Sequence, residues 1–389
     1  MTPAVKKVFG EELPRLPLAI IALPGAQELA EKVNKYLVDW YAQEAKDNGI
    51  CSKDNFLLEA SYPRFTPGDG KAVINETVRC RDLYVICDVG NYSLRYNLFG
   101  QSVPMSPDDH YADLKRIICA AGGKPEKTTV IMPILYGGRQ HRRNARESLD
   151  CALMLQELEN LGVKDIITFD AHDPRVQNAV PLMGFDNFFA TYQILKVLIK
   201  SYPELIFDKE HFMIVSPDEG AMSRNIYYAS VLGLDLGMFY KRRDYSTIVN
   251  GRNPILQHEF IGNDVKGKDI FVADDIRATG DSVLHLASEL KSRGAKNIFL
   301  AATFALFTEG LAKFDKAYED GLIAGVLSTN LTYTNPELQS RVWFKQADLS
   351  KYLAYIISAC NHNQSVSKII DSHEKISKLL EKHNIVPEK

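Results

Sequence analysis

The chain has 389 residues, of which 46% are hydrophobic and 24% charged, with a formal net charge of −3. That length holds two domains with sizeable cores, and the balance is that of a soluble globular protein. The small negative charge excludes a nucleic-acid binder working through a general basic field, and no apolar run of about 18 residues offers a membrane span.

No continuous apolar core precedes Pro17, so an export signal is not expected. The first helical pattern covers residues 26–45. Buried strands are expected at 81–88, 128–135, 166–170, 212–216 and 270–273, with helices at 147–161, 189–200 and 281–293. The alternation predicts an α/β fold with a mostly parallel sheet flanked by helices. Residues 244–262 are polar with scattered apolar positions and read as a mobile loop. From about residue 340 a helical tail follows, and its charged end, 372–389, reads as a solvated helix that frays. A domain boundary near Asn187 gives a first domain of 1–187, joined by the tail 340–389, and a second of 188–339. The six cysteines, at 51, 80, 87, 119, 151 and 360, never fall at C-x-x-C spacing and read as reduced thiols of a cytoplasmic protein.

A faint internal repeat runs through this pattern. Residues 81–88, Arg-Asp-Leu-Tyr-Val-Ile-Cys-Asp, resemble 268–275, Lys-Asp-Ile-Phe-Val-Ala-Asp-Asp. Residues 157–164 and 289–296 also share a helix-to-strand passage with a glycine suited to a helix C-cap. The two spacings do not match, so no single alignment joins both pairs.

Residues 268–282 carry the most chemistry. A buried strand leads to adjacent acids, Asp274 and Asp275, and then to a small-residue turn through Thr279, Gly280 and Ser282 that opens a helix. Backbone N–H groups and hydroxyls at such a turn wrap a phosphate, and the acids suit a sugar diol or hydrated magnesium. Together they point to a phosphorylated sugar. Residues 136–143, Tyr-Gly-Gly-Arg-Gln-His-Arg-Arg, follow another strand, and their cations call for an anion such as polyphosphate. His172 ends a third strand, where open α/β sheets bind ligands, and Asp218 follows a fourth, placed to hold a metal through water. Lys241, Arg242 and Arg243 precede the polar stretch, where basic groups can stabilise a phosphoryl-transfer transition state. Taken singly, each stretch has a plain reading: an acidic strand–turn–helix unit, a solvated basic turn, a hydrogen-bonded structural histidine, an Asp-containing turn and a surface basic triplet. No G-x-x-x-x-G-K-[ST], H-E-x-x-H or G-x-S-x-G is present.

Taken in order, these stretches resemble the ribose-phosphate pyrophosphokinases. The resemblance runs from about Pro24 to Ser367 and rests on Arg64-Phe65 with Gly68-Asp69-Gly70, Arg139-Gln140, Asp170-Ala171-His172, Ser216-Pro217-Asp218, Lys241-Arg242-Arg243 and Asp274-Asp275 with Thr279-Gly280-Asp281-Ser282. Thr329-Asn330 and residues 364–367 are similar to the family as well.

The resemblance implies two phosphoribosyltransferase-like (type I) domains, the first on the ATP side and the second carrying the ribose 5-phosphate loop. It implies a Mg2+-dependent transfer of pyrophosphate from ATP to ribose 5-phosphate. By this likeness Phe65 stacks on adenine beside Asp69, across a subunit interface, and Arg139 and Gln140 hold ATP. His172 and Asp218 position the metal. Lys241 and Arg243 are the catalytic cations. Asp274 and Asp275 face the ribose hydroxyls, while Ala278, Thr279, Gly280, Asp281 and Ser282 cradle the 5-phosphate. A homo-oligomer, dimer or hexamer, is implied too.

Several positions depart from the family's pattern. Ala278 stands where an aspartate is usual, Arg277 where an apolar residue is, and Asp281 where a glycine is; Asp281 is expected to point outward. His141 replaces an aspartate, Lys71 replaces a glutamate, and extra residues lie near 38–58, near 89–108 and at the C-terminus. Two other functions are compatible with parts of the pattern. A phosphoribosyltransferase acting on a nucleobase shares the 274–282 turn but needs neither Arg139-Gln140 nor Lys241–Arg243. A non-catalytic regulatory paralogue would account for Ala278, Asp281 and His141.

Overall fold

The computed structural model describes residues 16–48, 53–143, 145–243, 255–277 and 279–384. The backbone divides into two compact units. The first extends to Phe189 and takes back Asn330–Tyr333 and Asp348–Asp371; the second is Ala190–Thr329, Thr334–Ala347 and the chain from Ser372.

In the first unit, β1 (Leu18–Ala22) is followed by α1 (Gln27–Asn48), which buries Val33, Leu37, Tyr41 and Ala45 at helical spacing. A short ribbon, β2 (Ala60–Ser61) with β3 (Val73–Ile74), precedes β4 (Asp82–Ile86). Residues near 89–108 form a hairpin, β5 (Arg95–Leu98) with β6 (Gln101–Pro104). Its two-residue turn, Phe99 and Gly100, has positive φ at both positions, as the twist of a tight hairpin requires. Then come α2 (Pro107–Ala121), β7 (Lys127–Ile131), α3 (Asp150–Asn160), β8 (Asp165–Phe169) and β9 (Gly184–Phe188). Ser106 and Asp109 start α2 with a reciprocal capping box. The sheet order is β1-β4-β7-β8-β9, all parallel. Every residue of β1 and β4 is buried, which is why these strands read as near-continuous apolar runs rather than alternating ones.

The second unit opens with α4 (Thr191–Ser201), β10 (Phe212–Ser216), α5 (Met222–Leu232) and β11 (Asp235–Arg243). It continues through β12 (Ile255–Ile261), β13 (Asp269–Arg277), α6 (Asp281–Ser292), β14 (Ile298–Ala305), α7 (Ala312–Glu319), β15 (Gly325–Thr329) and β16 (Phe344–Ala347). Its sheet order is β12-β11-β10-β13-β14-β15-β16, parallel except where β12 runs against β11. Val272, Ile270, Leu300, Phe314 and Trp343 lie in its apolar core.

Four expectations change. Residues 244–262 are not wholly loop: 255–261 form β12, pairing with β11 from Met238↔Ile261 to Arg243↔Ile255, while 244–254 lie outside the described residues. The strand expected at 270–273 is β13 and runs on to Arg277, because β14 pairs with it as far as Arg277↔Ala305. The tail does not join the first unit as one piece. α8 (Ser350–Asn361) packs against α1, and α9 (Ser367–Ile370) also belongs to the first unit, but α10 (His373–Asn384) packs on α4 and α5. Nor is α10 merely solvated: Ile376 is fully buried and His383 Nε2 lies 2.8 Å from the Leu205 carbonyl.

The two sheets explain the internal repeat. β4 lies between β1 and β7, and β13 between β10 and β14, each flanked by parallel strands on both sides, although in the second sheet β11 extends the parallel run beyond β10. Residues 81–88 and 268–275 thus hold similar places. The helix-to-strand passages do not, since α3 leads into β8, two strands on from β4, and α6 into β14, the neighbour of β13. No helix among the described residues is long and apolar enough to cross a membrane.

Candidate functional site

In the second unit the chain winds to one side of β10 through β11 and β12, then crosses to the other side with β13. The winding reverses between β10 and β13, and open α/β sheets bind ligands beyond the carboxyl ends of the strands at such a point. Asp218 follows β10, and Asp274 and Asp275 lie near the carboxyl end of β13. β11 pairs Met238 with Ser216, the last residue of β10, and continues to Arg243, so Lys241–Arg243 extend past the same edge.

The local geometry of these acids is specific. Asp218 Oδ1 accepts the Ala221 N–H at 3.2 Å, and Ser216 Oγ donates to the Asp218 carbonyl at 2.8 Å, fixing a tight turn. Asp274 Oδ1 accepts the Asp275 N–H at 2.9 Å, and Asp275 Oδ1 accepts the Ile276 N–H at 2.8 Å. The Arg224 guanidinium stands 3.7 Å from Asp274. Asp275 is buried and Asp274 half-buried.

Beyond β13 the phosphate-type turn closes on Gly280, which caps α6 with φ +88°. A Cβ there would come within 2.4 Å of the ring of Phe314, itself buried in the core. Gly280 is therefore needed both for its backbone conformation and for the close approach of the turn to the core. Asp281 is exposed and ion-paired with Lys313 at 2.7 Å. Thr279 is half-buried and Ser282 exposed; Ala278 lies outside the described residues.

In the first unit, β7 and β8 are neighbouring parallel strands, so the loops that leave them lie side by side. Asp170 bends the chain out of β8 with φ +48° and stays buried, whereas His172, two residues on, is exposed. Its ring lies 5.2 Å from that of His141, on the loop after β7, and His141 Nε2 is 3.6 Å from Asp173. Asp173 is held by Arg175, whose bidentate hydrogen bonds pull its carboxyl down to about 2. Arg139 and Gln140 are exposed on the same loop. Tyr136 anchors that loop by stacking on Tyr111, centroids 4.6 Å apart, and by donating to Asp108 at 2.7 Å.

Phe65 and Asp69 sit on a tight loop. The Phe65 N–H donates to the Asp69 carbonyl and the Gly68 N–H to the Phe65 carbonyl, both at 2.8 Å. Phe65 is 53% exposed, far more than an aromatic that only fills a core. What holds the loop is beneath it. Arg64 bonds Asp113 at 2.7 Å, Arg116 bonds the same carboxylate at 2.8 Å, and Asp113 is buried. The hairpin β5–β6 supports the other side: Tyr96 lies under the Arg64 guanidinium, and the Phe99 N–H donates to the Thr66 carbonyl at 3.2 Å.

Several of these residues escape a reading of motifs. Arg224 and Asn225 follow the Ser-Pro-Asp turn and engage β13 from α5. A signal for Asn225 was present: α5 buries positions 225, 228, 229 and 232, so a polar residue heads an otherwise apolar stripe. Asp113 likewise sits among the buried positions of α2. The hairpin had only its extra length as a signal.

Among the described residues, no three His, Cys, Asp or Glu side chains group closely enough to hold an ion by themselves.

Residues 18–162 match the family described as the N-terminal domain of ribose phosphate pyrophosphokinase, and residues 185–320 match the phosphoribosyl transferase domain family. Each unit is thus phosphoribosyltransferase-like. A ribose-phosphate pyrophosphokinase of Vibrio cholerae is 28% identical over 321 residues, covering 81% of this chain and 92% of its own length. One from Burkholderia pseudomallei is 29% identical over 260 residues, 66% of this chain and 73% of its own. Among solved structures, a phosphoribosylpyrophosphate synthetase from Mycobacterium smegmatis superposes with a TM-score of 0.69 at 20% identity, covering 89% of this chain and 99% of that one. That likeness is one of fold.

Proposed function

Because the chain belongs to the ribose-phosphate pyrophosphokinase family, we propose that it transfers pyrophosphate from ATP to the anomeric hydroxyl of ribose 5-phosphate. The hydroxyl oxygen forms a bond to the β-phosphorus of ATP and loses its proton. The bond from that phosphorus to the α,β-bridging oxygen breaks, and AMP leaves. The observation that carries the reading is the β10/β13 reversal, where Asp218, Asp274 and Asp275 meet the edge past which Lys241 and Arg243 extend.

The residues take the following roles in this reading. Asp274 and Asp275 accept hydrogen bonds from the ribose hydroxyls, and the turn from residue 278 to Ser282 receives the 5-phosphate on backbone N–H groups at the start of α6. Phe65 offers an open face to adenine, with Asp69 beside it, and Arg139 and Gln140 hold the triphosphate. Lys241 and Arg243 neutralise charge that develops on the transferring group. His172 and Asp218 are each a candidate contact for Mg2+, which when bound supplies charge neutralisation on the phosphates. Positioning and charge compensation suffice, because phosphoryl transfer asks little covalent chemistry of the protein. The same reading makes the protein a cytoplasmic homo-oligomer. A phosphoribosyltransferase acting on a nucleobase would have no use for Arg139 and Gln140 or for the cations ending β11.

A crossed pair of variants tests these assignments. Asp274→Asn is expected to raise KM for ribose 5-phosphate about tenfold or more while leaving ATP binding intact, and Phe65→Ala to do the reverse. Equal effects of either variant on both substrates would refute the division of roles.

A further inference from the structure

The parallel ladder between β10 and β13 is short. It pairs Phe212↔Asp269, Met213↔Ile270 and Ile214↔Phe271. β13 goes on beyond this, paired with β14 on its other side as far as Arg277. The β10 register ends at Ile214↔Phe271, and the acids stand beyond it.

The Asn225 side chain engages β13 just beyond that register. Its Nδ2 donates to the Ala273 carbonyl at 2.9 Å, and its Oδ1 accepts the Ala273 N–H at 3.2 Å. The side-chain amide thus satisfies both backbone groups of one residue, as a neighbouring strand would. Nδ2 also donates to the Ala221 carbonyl at 2.8 Å and lies 3.4 Å from Ser216 Oγ. One fully buried side chain therefore touches the end of β10, the residue preceding α5 and the residue immediately before Asp274. The next residue back, Arg224, reaches Asp274 itself.

We infer that Asn225 is a positioning residue for the sugar-phosphate half of the reaction: it sets the spacing between the Asp218 turn and the Asp274-Asp275 pair. The inference rests on the reading that residues 274–282 receive ribose 5-phosphate. Burial gives the Ala273 N–H and C=O no access to water, so removing the amide strands both. The cheapest relief is for the end of β13 to shift, and Asp274 goes with it. A displacement of order 1 Å at a binding group is enough to cost about tenfold or more in binding or turnover.

The test compares Asn225→Leu, of similar size but without the amide, with Asn225→Ser, which keeps a small donor and acceptor, and with Asp274→Asn. KM for ribose 5-phosphate, Kd for ATP alone and amide exchange at Ala273 are measured on each full-length protein. The expected result is faster exchange at Ala273 and a KM for ribose 5-phosphate raised about tenfold in Asn225→Leu, with smaller effects in Asn225→Ser and unchanged ATP affinity in both. If Asn225→Leu does not fold, Asn225→Ser carries the same comparison. Two results overturn the inference while leaving the site reading intact: a normal sugar-phosphate KM in the Asn225 variants beside an impaired Asp274→Asn, or equal losses toward both substrates. A normal sugar-phosphate KM in Asp274→Asn overturns the site reading, and the inference with it.

Discussion

Asp88 and Asp275 stand at similar places in two sheets: Asp88 just past β4, which lies between parallel β1 and β7, and Asp275 near the carboxyl end of β13, which lies between parallel β10 and β14. Both are buried, but they are used differently. Asp275 accepts the N–H of the residue after it, at the reversal of its sheet. Asp88 is engaged from the C-terminal part of its own unit: Thr332 Oγ1 donates to both carboxylate oxygens at 2.9 and 3.0 Å, and the Tyr333 and Gly90 N–H groups each donate at 2.9 Å. The first unit has turned that position into a clasp, and the second keeps it at the candidate sugar site.

Burial pushes the Asp88 carboxyl up to about 7, against its hydrogen bonds, which pull it down. Its unfolded value is about 3.9. Between the two the folded state binds the extra proton, so this group's contribution to stability is full below about pH 4 and is lost as pH rises through about 7. Thermal unfolding of the native protein should lose more between pH 5 and pH 8 than that of Asp88→Asn. Parallel profiles would remove Asp88 as the source.

Gly280→Ala should damage the site and the fold together. The left-handed backbone costs a non-glycine residue about 1–2 kcal/mol, and the new methyl meets the Phe314 ring. A stability loss of roughly 2–4 kcal/mol on denaturant unfolding, with weaker sugar-phosphate binding, is expected. A fully stable variant would show that the turn can open away from Phe314.

Lys241→Ala should lower kcat by at least about 100-fold with unchanged melting, since the proposed function has this cation act in the transition state. Near-normal turnover would take the end of β11 out of the mechanism.

Arg64→Ala should destabilise the first unit by about 3 kcal/mol, because it strips one partner from buried Asp113 and leaves Arg116 alone to compensate it. ATP affinity should fall with it, as the Phe65 loop loses its anchor. Denaturant unfolding and ATP titration read the two effects separately. Lost stability with intact ATP binding would detach this loop from the nucleotide.

Much of this architecture was legible in the sequence. β4, β7, β8, β10 and β13 announced themselves because strands covered on both faces are near-continuous apolar runs, and Gly280 and Asp274-Asp275 stood out because turns and acids punctuate such runs. β1 was passed over although it is as short and as fully buried as β4, while β9 and β16 are only partly buried and mix polar with apolar residues, so no apolar run marks them. β12 was hidden in a polar stretch because its pairing with β11 is antiparallel and at the edge of the sheet, where no continuous apolar run is required. The tail was misjudged because α10 buries a narrow stripe led by Ile376, and a charged helix with so few apolar residues looks solvated until its partners α4 and α5 are known. The motifs named the residues to which the proposed function gives ligand contacts. They did not name Asn225, Asp113 or the β5–β6 hairpin, which act by holding other residues in place.

The measurement that bears most directly on the whole account is AMP release from ATP and Mg2+, with and without ribose 5-phosphate, followed by phosphorus NMR of the sugar product. The account predicts AMP only when the sugar phosphate is present, together with a new diphosphate on the anomeric carbon. Well-folded protein that releases no AMP under these conditions, or releases it regardless of the sugar, would contradict it.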